Sequence, residues 1–303
     1  MGEFFAFCSA LCFALVNVTI TRGASKRAAD NGVFLSLVLT TLIAGGCWLV
    51  ASIARGFTPI NTQGIIWYAA AGLFTAFIGR VFLFASIQEL GSIRGSAIKR
   101  LSPFFAVLVG VIFLNDPIGM GMMIGMSLIM LSFFILVREA FAKREGDVAR
   151  PHQHWLKALF NLGFVFGPVS SLGYAIGYLF RKLGLASIPD AFFGTMVGSI
   201  VGMIIFCVVA FAKPSYRHAI RATFTSYNPW LWLAGVMTSL GQVAYFLALS
   251  YTTISVVALI ASMEVFGTMF LSVFIFKQRE TLTPQVWAAA MLGIIGTVFI
   301  VGW

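Results

Sequence analysis

Apolar residues fall along this chain in long blocks, not in the short alternations of a water-soluble fold. A helix needs about 20 residues to cross a hydrocarbon core of about 30 Å, at about 1.5 Å per residue. Ten runs near that length are bounded by polar residues or by Gly and Pro: Phe4–Ile20, Val33–Ile53, Ile65–Ile87, Ile93–Leu114, Ile118–Val137, Leu156–Leu179, Ala191–Ala212, Trp230–Tyr251, Ile254–Phe276 and Val286–Trp303. The pattern predicts an all-α polytopic membrane protein of ten transmembrane helices. The connectors Asn115–Pro117 and Thr252–Thr253 are so short that they force antiparallel helical hairpins. The longest charged connector, residues 138–155, holds Arg138, Lys143, Arg144 and Arg150. It separates a first five-helix half, 1–137, from a second, 156–303.

The halves resemble each other. Gly79-Arg80-Val81-Phe82-Leu83-Phe84 aligns with Gly241-Gln242-Val243-Ala244-Tyr245-Phe246, an offset of 162 residues from Arg80 to Gln242. The same offset sets Leu101-Ser102-Pro103-Phe104 against Met263-Glu264-Val265-Phe266. Five spans is an odd number, so the second copy enters the membrane upside down. The expected fold is therefore two inverted five-helix repeats, the arrangement typical of secondary transporters, in which similar halves give inward-open and outward-open states of comparable energy.

Composition removes the alternatives. The chain is 60% hydrophobic and 10% charged, which excludes a soluble fold. The net charge of +10 need not mean nucleic acid, because cytoplasmic loops of inner-membrane proteins are basic. Arg22, Lys26, Arg27, Arg94, the central linker, Lys213, Arg217, Arg221, Lys277 and Arg279 all fall in odd-numbered connectors, while the even-numbered ones hold little beyond Arg55, Arg181 and Lys182. That asymmetry predicts a multi-pass inner-membrane protein with the linker cytoplasmic and both termini outside. Phe4–Ile20 is preceded by Glu3 and followed by basic residues, so it reads as a retained helix and not a signal peptide. Cys8, Cys12, Cys47 and Cys207 lie in apolar runs and indicate neither disulfides nor a metal site. His152 and His154 lack further ligands and read as solvated linker residues. No metalloprotease, hydrolase or ATP-binding motif is present, so the chain reads as neither an enzyme nor an ATP-driven pump, and no cofactor is expected.

On these residues the chain resembles the drug/metabolite transporter superfamily, specifically its ten-helix EamA-type members. Their halves each end in a Pro-containing helix, a short acidic turn and a Gly-rich last helix. Here the first copy shows Leu101 to Ala106 with Pro103, then Phe113-Leu114-Asn115-Asp116, then Ile124-Gly125; the second shows Met263 to Phe266, Glu280, and Gly293 with Gly296. The second copy has Glu264-Val265 where the family commonly has Glu-Pro. The resemblance implies efflux or exchange of a small organic metabolite, without naming it. The competing class, an intramembrane lipid-modifying enzyme or a non-transporting scaffold, would need a cluster of Asp, His or Cys at one membrane face.

A charge near the bilayer midplane costs at least about 2.5–3.5 kcal/mol and is usually directed at a partner or a water-filled cavity. Arg80 would grip a substrate carboxylate or phosphate, or pair with Glu264, or snorkel. Lys99 and Arg100 lie nearer the cytoplasmic end and read first as headgroup anchors, then as substrate contacts. Glu264 is the candidate proton-coupling group or an architectural hydrogen-bonding group. Gln242, Thr238, Tyr245, Asn17 and Tyr174 offer hydrogen bonds to a ligand or between helices. Pro103 and Pro168 are candidate hinges or static kinks. Gly194, Gly198 and Gly202 form a small-residue stripe suited to packing within the bundle, or else between two copies as a homodimer. The expected partners are a small-molecule substrate and membrane lipids.

Overall fold

The computed structural model describes residues 1–24, 30–99, 119–145, 165–252, 263–277 and 283–302, with isolated residues between 101 and 109 and between 257 and 261. Arg100, Pro103, Asp116, His152, His154 and Glu280 lie outside the described residues. All described elements are helical: α1 (Gly2–Gly23), α2 (Val33–Arg55), α3 (Thr62–Leu90), α4 (Ser92–Ile98), α5 (Met120–Glu145), α6 (Phe166–Ser187), α7 (Ala191–Ala212), α8 (Pro214–Thr225), α9 (Pro229–Tyr251), α10 (Glu264–Ile275) and α11 (Pro284–Gly302). Five of them, α1, α2, α3, α7 and α9, are long and apolar enough to cross a membrane, and shorter apolar stretches lie in α5, α10 and α11.

Helix ends follow local chemistry. Asn61 accepts from the Gly64 N–H, Asp190 from Phe193, and Asn228 from Trp230 and Leu231, each satisfying amides that a helix start leaves free. Pro214 and Pro229 occupy first-turn positions where a missing N–H breaks nothing. A single residue joins α3 to α4. Gly91 makes that turn at φ 89° and ψ 170°, a conformation open essentially to glycine alone.

The core of α3 is a π-helical segment, Gly72–Gly79, and α10 ends in another, Leu271–Ile275. The first is wedged between α6 and α7. Lipid tails are as apolar as leucine, so helices in a membrane associate through close packing, and small residues permit it. A Cβ on Gly72 would lie 2.5 Å from the Gly198 carbonyl oxygen, and one on Gly202 would lie 2.8 Å from the Ala76 methyl. The glycine stripe of α7 is thus spent on α3 within the chain, with Gly194 against the Tyr68 ring.

The helix pairs have a pattern. α1 packs along α9, and α3 along α6; α2 packs on α9, and α7 on α3; α2 meets α7, and α5 meets α11. One large buried cluster joins residues of α1, α2, α3, α6, α7, α8 and α9, and a second joins α4, α5, α10 and α11.

Three expectations from the sequence are corrected. α6 does not end at Leu179 but runs to Ser187, since no breaker precedes Ile188-Pro189, and this carries Arg181 out of the expected connector into the buried interior. α5 continues through Glu145, past the expected start of the linker, and Arg94 of α4 holds its Glu139 at 2.9 and 2.8 Å. Residues 214–225, read as connector, form the amphipathic helix α8.

Candidate functional site

Two polar groups lie within the bundle. In the first, Arg80 of α3 is 2% exposed, and its Nη1 donates to Thr40 Oγ1 at 3.1 Å and to Ser36 Oγ at 3.4 Å, both on α2. Arg181 of α6 is 4% exposed, and its Nη2 donates to Thr75 Oγ1 at 2.9 Å and to Gln242 Oε1 at 2.5 Å. The Phe246 ring lies under the Arg181 guanidinium, 4.4 Å from its centroid. Arg80, Arg181 and Gln242 line one small cavity of about 10 Å³, with Thr75, Thr195 and Phe246 around them.

In the second group, Glu264 of α10 is buried, accepting from Lys99 Nζ at 2.9 Å and from Asn17 Nδ2 at 2.8 Å. Asn17 also donates to Thr268 Oγ1 at 3.1 Å. Lys99 lies 4.4 Å from the Phe13 ring centroid and 5.6 Å from that of Tyr174. Here the expectations divide. The sequence allowed an Arg80–Glu264 ion pair, but Lys99 takes that carboxylate, since the turn at Lys99 after α4 lets its stem reach α10. The headgroup-anchor reading of Lys99 gives way to the same contact.

Three tyrosines join the two groups. Tyr174 and Tyr178 lie one turn apart on α6, and Tyr178 stacks on Tyr245 of α9 at 4.6 Å. Arg181 sits 5.5 Å from the Tyr178 ring, so aromatic faces lead from Arg181 to Lys99 and Glu264. Thr238 bonds its own helix at the Ala234 carbonyl. Pro168 lies in the first described turn of α6.

The sequence matches the profile of the EamA-like transporter family over residues 1–138 and again over 161–302. The chain belongs to the EamA-like transporter family. It is accordingly a multi-pass membrane protein of the drug/metabolite transporter superfamily. No curated protein sequence matches it. Among solved structures, one crystal structure is similar over 98% of this chain and 97% of its own, with a TM-score of 0.59 and 13% identity, a likeness of fold alone.

Within this EamA-like chain, the sequence brought forward Arg80, Gln242, Asn17, Lys99, Glu264, Tyr174 and Tyr245, and the fold collects the first five into the two groups and sets the two tyrosines between them. It missed Arg181, along with the hydroxyls of Ser36, Thr40 and Thr75. One signal pointed to Arg181: Tyr174, Tyr178 and Arg181 recur at i, i+4 and i+7 on one helical face, provided the helix is allowed to continue past Leu179.

Proposed function

We propose that the chain is a secondary active transporter that carries a small organic metabolite by efflux or exchange, through alternating access between two inverted five-helix halves, 1–137 and 156–303. The observation that carries the reading is the pairing of the helices. Exchanging the first half's spans for their counterparts in the second turns the α1–α9 pair into α6–α3 and the α2–α9 pair into α7–α3, while α2–α7 and α5–α11 map onto themselves. Hydrogen bonds follow the same exchange. Ser9 donates to the Gly241 carbonyl and Ser170 to the Gly79 carbonyl, each glycine preceding a residue of the cavity. Two like halves around one polar centre can rock between openings to either side.

The solute is held where Arg80 and Gln242, counterparts in the repeat, face the cavity. A volume of about 10 Å³ admits about one water, so a solute reaches this centre only when the halves part. Glu264 is the coupling group: protonating it would break its ion pair with Lys99 and loosen α10 from α4 and α1. The linker lies in the cytoplasm and both termini outside, in the inner membrane, a placement that the distribution of basic residues supports. Membrane lipids and the solute are its partners, and nucleic acid is not.

Reconstitution tests this. Proteoliposomes should take up at least one member of a panel of amino acids, sugars, nucleosides and organic anions, and an imposed pH gradient should change the rate. If nothing on the panel moves in either direction, and added lipid is instead chemically converted, the transporter reading falls.

A further inference from the structure

Lys213 leaves the helical conformation at φ −119° and ψ 115°, and Pro214 starts α8 directly after it, so the chain turns where α7 stops. The spans α7 and α9 end and begin at one membrane face, and α8, 12 residues or about 18 Å long, joins them along it. Its two sides differ. Tyr216, Ala219 and Ile220, at i, i+3 and i+4, turn to the bundle: Ala219 is buried, the Tyr216 ring lies 4.5 Å from that of Phe206 of α7, and Ile220 packs on the large cluster. Lys213, Arg217 and Arg221, each one turn from the next, are exposed. Among the described residues no ion pair answers them: the pairs employ Glu3, Glu139 and Glu264, and Asp30 feels the charge of His218. The chain holds no Asp or Glu from Ala191 to Met263. Arg22, at the same face, is satisfied instead, 4.6 Å from the Trp230 ring centroid and donating to the Phe276 carbonyl. Around the three cations stand Phe211, Phe224 and Tyr227, exposed by 85%, 73% and 79%.

We propose that α8 lies in the headgroup layer and binds an anionic phospholipid surface, with Lys213, Arg217 and Arg221 on lipid phosphates and Phe211, Phe224 and Tyr227 among the upper acyl chains. The proposal rests on the placement of the chain in a membrane, and not on the carrier cycle. An in-plane amphipathic helix combines a basic polar face with large aromatic residues in this way. An acidic protein docking from the water would meet the cations but leave the aromatics without an apolar partner, whereas a bilayer meets both. An anionic surface attracts each Lys or Arg close to it by roughly a fivefold gain in affinity, so the three together favour an anionic over a zwitterionic lipid roughly a hundredfold.

The test uses the full-length protein in a neutral detergent, with dioleoyl phosphatidylglycerol or dioleoyl phosphatidylcholine added. In native mass spectrometry the anionic lipid should be retained roughly a hundredfold more tightly than the zwitterionic one. Lys213→Gln, Arg217→Gln and Arg221→Gln should each cost roughly fivefold of that preference, and the triple variant should lose most of it. Hydrogen exchange on the wild-type protein needs no variant, so a variant that fails to fold leaves the test standing: the backbone of residues 213–228 should be protected by phosphatidylglycerol and not by phosphatidylcholine. Unchanged exchange in that segment, or full preference in the triple variant, overturns the proposal. Protection of 213–228 by polyglutamate and not by phosphatidylglycerol also overturns it, and makes α8 a docking face for an acidic protein. Solute movement in proteoliposomes is read separately, so the lipid surface and the carrier reading can each fail while the other stands.

Discussion

Replacing Glu264 with Gln removes one charge of a buried pair and leaves the other in place. The carboxylate side chain is 4% exposed and the Lys99 side chain 13%, so solvent rescues the stranded ammonium poorly. Breaking a buried ion pair from one side costs about 3–5 kcal/mol. The residual exposure of Lys99, its position over the Phe13 ring and the amide oxygen that glutamine would still present place the expected loss near the lower end, about 3 kcal/mol. In a thermal melt of the detergent-solubilised protein this corresponds to a fall of roughly 5 °C. Lys99→Met in the same background should restore most of it, because the unpaired charge is then gone. The double-mutant cycle should therefore show a coupling well above the roughly 0.5 kcal/mol seen for independent sites. Strictly additive losses would refute the pairing, and so would a Glu264→Gln protein that melts with the wild type.

Three further outcomes follow from other parts of the fold. Gly72→Ala places a methyl 2.5 Å from the Gly198 carbonyl oxygen and 2.7 Å from its Cα, so the α3–α7 contact must shift; a loss of about 1–3 kcal/mol should appear in the same melt. Asn17→Ala removes an amide donor to a carboxylate and should cost about 1.5–3 kcal/mol, less than Glu264→Gln in the cycle above if Lys99 carries most of the pairing. Asp30, in the turn before α2, has its carboxyl raised, first by burial, against the opposing pull of the Gly32 N–H and His218. A raised acid in the folded state is a penalty present above its folded range and relieved as pH falls through it. Asp30→Asn keeps an oxygen for Gly32, and should therefore raise the melting midpoint at neutral pH and leave it unchanged in acid.

Much of this arrangement was legible in the sequence because a bilayer imposes a length on every span and a sign on every loop. Pro229–Tyr251 was bounded almost to the residue, since Asn228 and Pro229 start it and the polar Thr252 follows it. The repeat brought Arg80 and Gln242 forward together before any packing was known. What stayed hidden depends on three-dimensional neighbours. Arg181 and Lys182 were read as connector because paired charges normally mark a membrane surface, but Thr75, Gln242 and Phe246 give Arg181 a place inside. Lys99 is polar in any reading, and only the juxtaposition of α4 with α10 decides that it holds Glu264. The π segment of α3 has no hydropathy signature, since its residues are as apolar as the turns around it.

The central claim is that one site in the middle of the bundle opens in turn to each side of the membrane. Thr195 lines the cavity and bonds only its own helix at the Ala191 carbonyl among the described contacts, so cysteine can replace it with little disturbance. In a background with Cys8, Cys12, Cys47 and Cys207 replaced, Thr195→Cys should be modified by a membrane-impermeant thiol reagent applied to either face of proteoliposomes, and a transported solute should protect it from both. Labelling confined to one face, whatever solute is present, would contradict alternating access.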